Sequence, residues 1–182
     1  MHACLLAFDT STEAMAVALQ VPGRLISWNG PGGAAASAQL LPRVDAMLRD
    51  AGIELRQLQA IAFGAGPGAF TGLRTACAVA QGLAFGAALP VLAVDSLMLV
   101  AEDARGSNLV AQDVDVAMDA RMDELYAARY RFDGTRWQAW RAPALYSLPA
   151  LQQVWQREPP RVVVGSAQAA PGTRSRTSRT ER

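Results

Sequence analysis

Lysine is absent from the 182 residues, so all seventeen basic side chains are arginines. A phosphate-loop nucleotidase of the usual kind, a Schiff-base enzyme and any lysine nucleophile are thereby excluded. Histidine is almost as scarce, with His2 the only one. At the mobile N-terminus it reads as incidental, and a Ser/His/Asp triad or a two-histidine zinc site cannot be assembled from one such chain. Cys4 and Cys77 sit among apolar residues and match no metal-ligand spacing. They read as small core groups in a reducing compartment. Excess charge is lacking too: seventeen basic against sixteen acidic residues net +1, which leaves no basic field able to hold a nucleic acid by itself. No basic leader precedes the first apolar run, which stops at Asp9. Residues 83–101 have the length of a membrane span, but Pro90 and Asp95 break them. A helix end, a strand and a new helix are expected there, in a soluble, cytoplasmic protein.

The chain is 51% hydrophobic and 18% charged, apolar enough for a sizeable core in one domain or two small lobes. Residues 4–8 are an apolar run closed by the turn formers Asp9-Thr10-Ser11-Thr12; Met15–Val21 and Leu25–Trp28 follow across Pro22-Gly23. A three-strand meander is the simplest reading. Residues 30–36, GPGGAAA, read as a flexible loop. Leu40, Leu41, Val44, Met47, Leu48 and Ala51 then recur at helical spacing, with Ser37 as the cap and Gly52 as the stop. A buried strand over 60–64, a helix over about 70–86, a strand over 91–94 and a helix after Asp95-Ser96 complete the first half.

From about residue 113 the order repeats. Val114–Met118 leads to Asp119, a polar turn, a strand over about 124–131, the turn Asp133-Gly134 and a strand around 137–140. Asp9 and Asp119 hold matching places 110 positions apart, the pattern of a duplication into two α/β lobes. Residues 171–182, with four arginines and one acid, cannot offset their ordering entropy by burial and read as a disordered basic tail. The expected division is therefore 1–105, 106–170 and 171–182.

Two constellations could carry chemistry. In the stretch Phe63 to Arg74, Gly64, Gly66 and Gly68 join a buried strand to a helix, and a helix N-terminus behind a glycine loop can bind an anion. The same glycines can instead let another backbone pack closely. Gly64-x-Gly66-x-x-Ala69 with Asp95 also loosely fits a dinucleotide fingerprint, although Asp95 lies 29 residues beyond Gly66. Asp9 with Asp119 could hold a magnesium ion beside a nucleotide, with Gly66, Gly68, Thr71 and Arg74 as further anion-site candidates. Aspartate ending a strand is, however, more often a turn former.

LLAFDTSTEAMAVAL at 5–19, AQLLPRVDAML at 38–48, AFGAGPGAFTGLRTACAVAQGLAFG at 62–86, VDSLMLVA at 94–101 and MDARMDELYAARY at 118–130 resemble the TsaB (YeaZ) family. That family supports threonylcarbamoyladenosine synthesis on tRNA. The resemblance covers roughly residues 3–165 and implies an actin/Hsp70-like fold of two similar lobes. It also implies a non-catalytic scaffold that pairs with a TsaD-type catalytic paralogue, is joined by a TsaE-type ATPase, and forms a homodimer when alone. No intrinsic cofactor is implied: ATP and metal belong to the partner subunits, and tRNA is met only through the complex. Where relatives often carry a histidine before the serine ahead of Leu-Leu-Pro, this chain has Ala36. An old glycoprotease label attaches to the family, so a peptidase or a nucleotide-binding enzyme using Gly64–Gly68 are the competing readings. For the partner face the expected residues are Leu40, Leu41, Val44, Met47 and Leu48 with Phe70, Leu73, Ala76 and Ala80, and Ala76→Arg is expected to break pairing in a folded monomer. Similarity fades near Ala170, so the second lobe is expected to be truncated.

Overall fold

The computed structural model describes residues 3–107 and 112–167; His2 and the basic tail lie outside the described residues. The chain divides into two compact units, Met1–Ser96 and Leu97–Arg182, ahead of the 105/106 boundary expected from sequence.

In the first unit, β1 (Leu5–Asp9), β2 (Ala14–Val21) and β3 (Arg24–Pro31) form the expected meander. Leu5 stands opposite Gln20, and Val21 opposite Arg24 across a Pro22-Gly23 turn. Alternation assigns the faces: Leu6 and Phe8 of β1 and Met15, Val17, Leu19 and Val21 of β2 are buried together. Helix α1 (Ala36–Ala51) follows, then β4 (Ala60–Gly64), α2 (Phe70–Ala87) and β5 (Val91–Val94). β4 and β5 add in parallel, giving the sheet order β3-β2-β1-β4-β5.

Two local expectations are corrected. Residues 30–36 are not a loose loop, because Gly30 and Pro31 end β3 and Gly33–Ala35 form a 3-10 turn. The Gly32 and Gly33 amides donate to the Glu13 and Thr12 carbonyls at 2.8 and 3.3 Å, pinning the segment to the β1–β2 turn. Ser37 does not cap α1: it lies inside the first turn, and Ala35 is the N-cap with no side-chain bond. Gly52 does stop the helix, at φ +67, where a left-handed residue favours glycine.

The second unit contains α3 (Ser96–Gly106) beyond its first residue, then β6 (Asp113–Arg121), β7 (Glu124–Phe132), β8 (Trp137–Ser147), α4 (Leu148–Arg157) and β9 (Val163–Val164). Its sheet runs β8-β7-β6-β9, with β9 parallel to β6. This repeats β3-β2-β1-β4 of the first sheet, so the α/β class and the two similar lobes hold. Leu97, Ala101 and Ala104 of α3 pack with Val114, Val116 and Tyr130. On the opposite face Leu151 of α4 packs with Ala117 and Ala127. Strand β8 is longer than the sequence expectation, and α4 was not anticipated. Ser147 announces α4, since its Oγ accepts the Ala150 amide at 3.4 Å. The span of residues 83–101 is divided among α2, β5 and α3, and no described helix is long and apolar enough to cross a membrane.

Candidate functional site

In open α/β sheets a ligand position lies at the carboxyl ends of the strands. In the first unit three segments meet there: the turn after β1 (residues 9–12), the glycine loop after β4 (64–69) and the crossing after β5 (94–96). They are fastened to one another. The Ala65 amide donates to the Val94 carbonyl (2.8 Å), the Ser96 amide to the Gly66 carbonyl (2.9 Å) and the Ala69 amide to the Ser11 carbonyl (2.7 Å). Side chains continue the pattern. Asp9 Oδ2 accepts from Ser96 Oγ at 2.7 Å, and Oδ1 accepts the Ser11 amide at 2.6 Å. Ser96 Oγ in turn accepts the Gly66 amide at 3.2 Å, and Thr10 Oγ1 donates to the Gly72 carbonyl at 2.7 Å.

The glycines serve this close approach. A Cβ on Gly64 would stand 1.8 Å from Asp9 Oδ2, one on Gly68 2.5 Å from the Ser11 carbonyl oxygen, and one on Gly72 1.8 Å from that of Thr10. Close packing, one of the two readings of the loop, is realised at Gly64, Gly68 and Gly72. The amides of Ala65, Gly66 and Ala69 are engaged within the chain. Asp95, the ribose acid of the dinucleotide fingerprint, follows β5 directly.

Asp9 ends β1, whereas β6 continues past Asp119 to Arg121 after a register shift. Both carboxylates make the same local bond: Asp119 Oδ1 accepts the Arg121 amide at 2.8 Å, two residues on, as Asp9 does with Ser11. This is turn-forming chemistry. No group of three or more His, Cys, Asp or Glu side chains suited to a metal occurs among the described residues. Thr71 and Arg74 are exposed on the first turns of α2, and the Arg74 guanidinium lies 3.9 Å over the Phe70 ring. Cys4 packs against the first core as expected; Cys77 is half-buried, and both thiols are free.

The expected partner face is corrected. Leu40, Val44, Met47, Leu48, Ala76 and Ala80 are buried within the first unit's own core, so the apolar stripe of α1 and the small-residue stripe of α2 point inward. Leu73 is half-buried. Only Leu41 and Phe70 of the nine are exposed. The outward side of α2 instead carries Phe70, 66% exposed, and Phe85, 92% exposed.

Sequence reading also missed a charged centre in the second unit. Asp115 is buried on β6 and accepts from Arg129 Nε (2.7 Å), Arg141 Nη2 (2.6 Å) and Trp155 Nε1 (3.2 Å). The Arg129 Nη2 also donates to the Glu158 carbonyl at 2.8 Å, tying the end of α4 to the sheet. The signal was Asp115 set between Val114 and Val116, a carboxylate inside an apolar strand, which requires paired cations.

The sequence profile of the family described as TsaD, tRNA N6-adenosine threonylcarbamoyltransferase, matches residues 10–167. The tRNA threonylcarbamoyladenosine biosynthesis protein TsaB of Haemophilus influenzae is 45% identical over 122 residues, 67% of this chain and 51% of its own length. That of Escherichia coli is 42% identical over 129 residues, 71% of this chain and 55% of its own length. The chain thus spans about half the length of the curated relatives it matches. YeaZ from Pseudomonas aeruginosa aligns with a TM-score of 0.73 at 43% identity, covering 80% of this chain and 68% of that one. A second Pseudomonas aeruginosa structure, described as an uncharacterized protein with similarity to peptidase YEAZ, aligns at 0.77 and 38% identity over 93% and 86% of the two chains.

Proposed function

The chain belongs to the TsaB/YeaZ family, and on that premise we propose that it is a non-catalytic partner of a TsaD-type transferase, supporting threonylcarbamoyl transfer to the adenosine beside the tRNA anticodon. The supporting observation is the way the carboxyl ends of the strands in the first unit are fastened to one another. Asp9, Ser96 and the Gly66 amide bond to one another there, with the glycine segment packed closely on residues 9–11. The residue inventory agrees, with no lysine and a single histidine for acid–base or nucleophilic work. ATP and metal are assigned to the partner subunits, including a TsaE-type ATPase, and tRNA is reached through the assembly.

Pairing through the outer side of α2 follows from its exposed phenylalanines. An aromatic anchor such as Phe70 or Phe85 is the kind of side chain that dominates an interface. The same side serves a homodimer when the transferase subunit is absent.

The test mixes this chain with the transferase subunit and follows mass by light scattering and tRNA modification in parallel. A mixed complex should replace the homodimer, with modification appearing only in the mixture. Phe85→Arg, at a side chain with almost no internal contacts, should abolish the mixed complex without lowering the melting temperature. Modification by this chain alone would refute the accessory role, and an unchanged complex after Phe85→Arg would refute the face.

A further inference from the structure

Strand β8 brings a second guanidinium to the Asp115 centre, where only part of it is satisfied. Arg141 Nη2 donates to Asp115 Oδ1 at 2.6 Å, while Arg129 Nε takes Oδ2 at 2.7 Å. Trp155 Nε1 also donates to Oδ1, so both oxygens of the buried carboxylate are engaged. Arg141 Nε and Nη1 are buried and have no hydrogen-bond partner among the described residues. Buried donors of this kind are rare in folded proteins and call for an acceptor.

A second carboxylate stands close without supplying one. Glu158 Oε2 lies 3.6 Å from Arg141 Nη1 and 3.7 Å from Arg129 Nη1, beyond hydrogen-bond reach of either. The two arginine side chains are only 17% and 15% exposed, against 56% for that of Glu158. The guanidinia are thus fixed by the sheet, and the carboxylate is a counterion on the solvent side. With Glu158 turned away, two guanidinia face the single Asp115 carboxylate, and a positive charge is left over. Arg157 and Arg161, both exposed, flank Glu158 in the chain and add to it. The two Nη1 groups offer several N–H donors to one bound group. A phosphate carries at least three strong acceptor oxygens and suits guanidinium geometry, whereas Glu158 sets one oxygen between both nitrogens and reaches neither.

We propose that the Nη1 groups of Arg129 and Arg141 form a seat for a phosphate group, with Glu158 as the tethered carboxylate that the phosphate displaces. The seat lies wholly within the second unit and is independent of the assembly reading above. Inorganic phosphate and a phosphomonoester share the chemistry it recognises.

The test is titration calorimetry of the whole chain with sodium phosphate, phenyl phosphate and sodium acetate at constant ionic strength. Glu158→Gln removes the competing charge at an exposed position and should tighten phosphate binding by about tenfold or more. Asp123→Asn, at an exposed carboxylate in the β6–β7 turn, should leave the affinity as it is. Arg141→Gln should weaken binding by about tenfold or more, with thermal unfolding run beside it to confirm that the variant is folded. If it is not, the Glu158→Gln and Asp123→Asn pair decides alone. Tighter binding of phenyl phosphate than of inorganic phosphate assigns the seat to esters, and the reverse order assigns it to the free ion. The absence of saturable phosphate binding in both the parent and Glu158→Gln overturns the proposal. Equal tightening by Asp123→Asn overturns it too, since the effect is then only that of overall charge. Acetate bound as tightly as phosphate overturns the assignment to phosphate.

Discussion

Gly72→Ala and Gly82→Ala are the same chemical change in the same helix, and the structure gives them opposite signs. Both positions lie within α2, where alanine ordinarily gains about 1 kcal/mol over glycine. A methyl at Gly82 meets nothing within 4 Å, so that gain is expected in full and the protein should be stabilised. A methyl at Gly72 would lie 1.8 Å from the Thr10 carbonyl oxygen and 2.9 Å from its carbon. Those are backbone atoms with no rotamer to yield, so the turn after β1 has to move away from α2. Overpacking of this kind costs about 1–3 kcal/mol, and losing the Thr10–Gly72 hydrogen bond adds about 1 kcal/mol. With the helix-propensity gain set against these, Gly72→Ala should destabilise by roughly 1–3 kcal/mol. In a chain of this length that lowers the melting temperature by about 2–12 °C. Differential scanning calorimetry of both variants with the parent is the assay. If Gly72→Ala matches Gly82→Ala or exceeds it, the tight packing of the glycine segment on residues 9–12 is wrong.

Ala76→Arg, expected from sequence to split a dimer cleanly, should instead unfold the first unit, because Ala76 is 0% exposed in its core; a cooperative transition surviving at the parent temperature would contradict this. Asp115→Ala leaves the Arg129 and Arg141 guanidinia only the exposed Glu158 carboxylate, at 3.7 and 3.6 Å, and should cost about 3 kcal/mol, read by urea unfolding, with a loss under 1 kcal/mol counting against a buried ion centre. Hydrogen bonds from Arg105 and then Trp137 hold the Glu102 carboxyl down to about 2 from an ordinary 4.5. Because the folded value is the lower one, its stabilisation is complete above pH 4.5 and disappears as pH falls towards 2. Glu102→Gln should flatten that part of the stability profile, and an unchanged acid limb would show that other groups set it.

Much of the architecture was legible because it rests on two periods. Alternation in Met15–Val21 and the spacing of Leu40, Val44, Met47 and Leu48 mark a strand and a helix without tertiary information. Periodicity reports that a face is buried but not what buries it, which is why the inward stripes of α1 and α2 passed for a partner surface. Composition misled at residues 30–36, where glycine and alanine look loose until the backbone bonds to Glu13 and Thr12 are seen. At Gly64 and Gly72 the sequence left anion binding and close packing equally open. The close packing becomes visible only with the positions of Asp9 and Thr10, more than fifty residues earlier in the chain.

The sheet order repeated in the two units has a consequence for the route by which the chain folds. In each unit the antiparallel strands are neighbours in sequence, with Val21 opposite Arg24 and Arg121 opposite Glu124. Hairpins of this kind close within microseconds. The parallel partner arrives late in both. β1 waits for β4, where Leu5 meets Ala60, and β6 waits for β9, where Asp115 meets Val163. Each such pairing first has to close a long loop that contains a helix, a step whose entropy is lost before the contacts repay it. Pulse-labelled amide exchange during refolding should therefore protect β2 and β7 ahead of β4 and β9, as if one kinetic programme had been written twice into the chain.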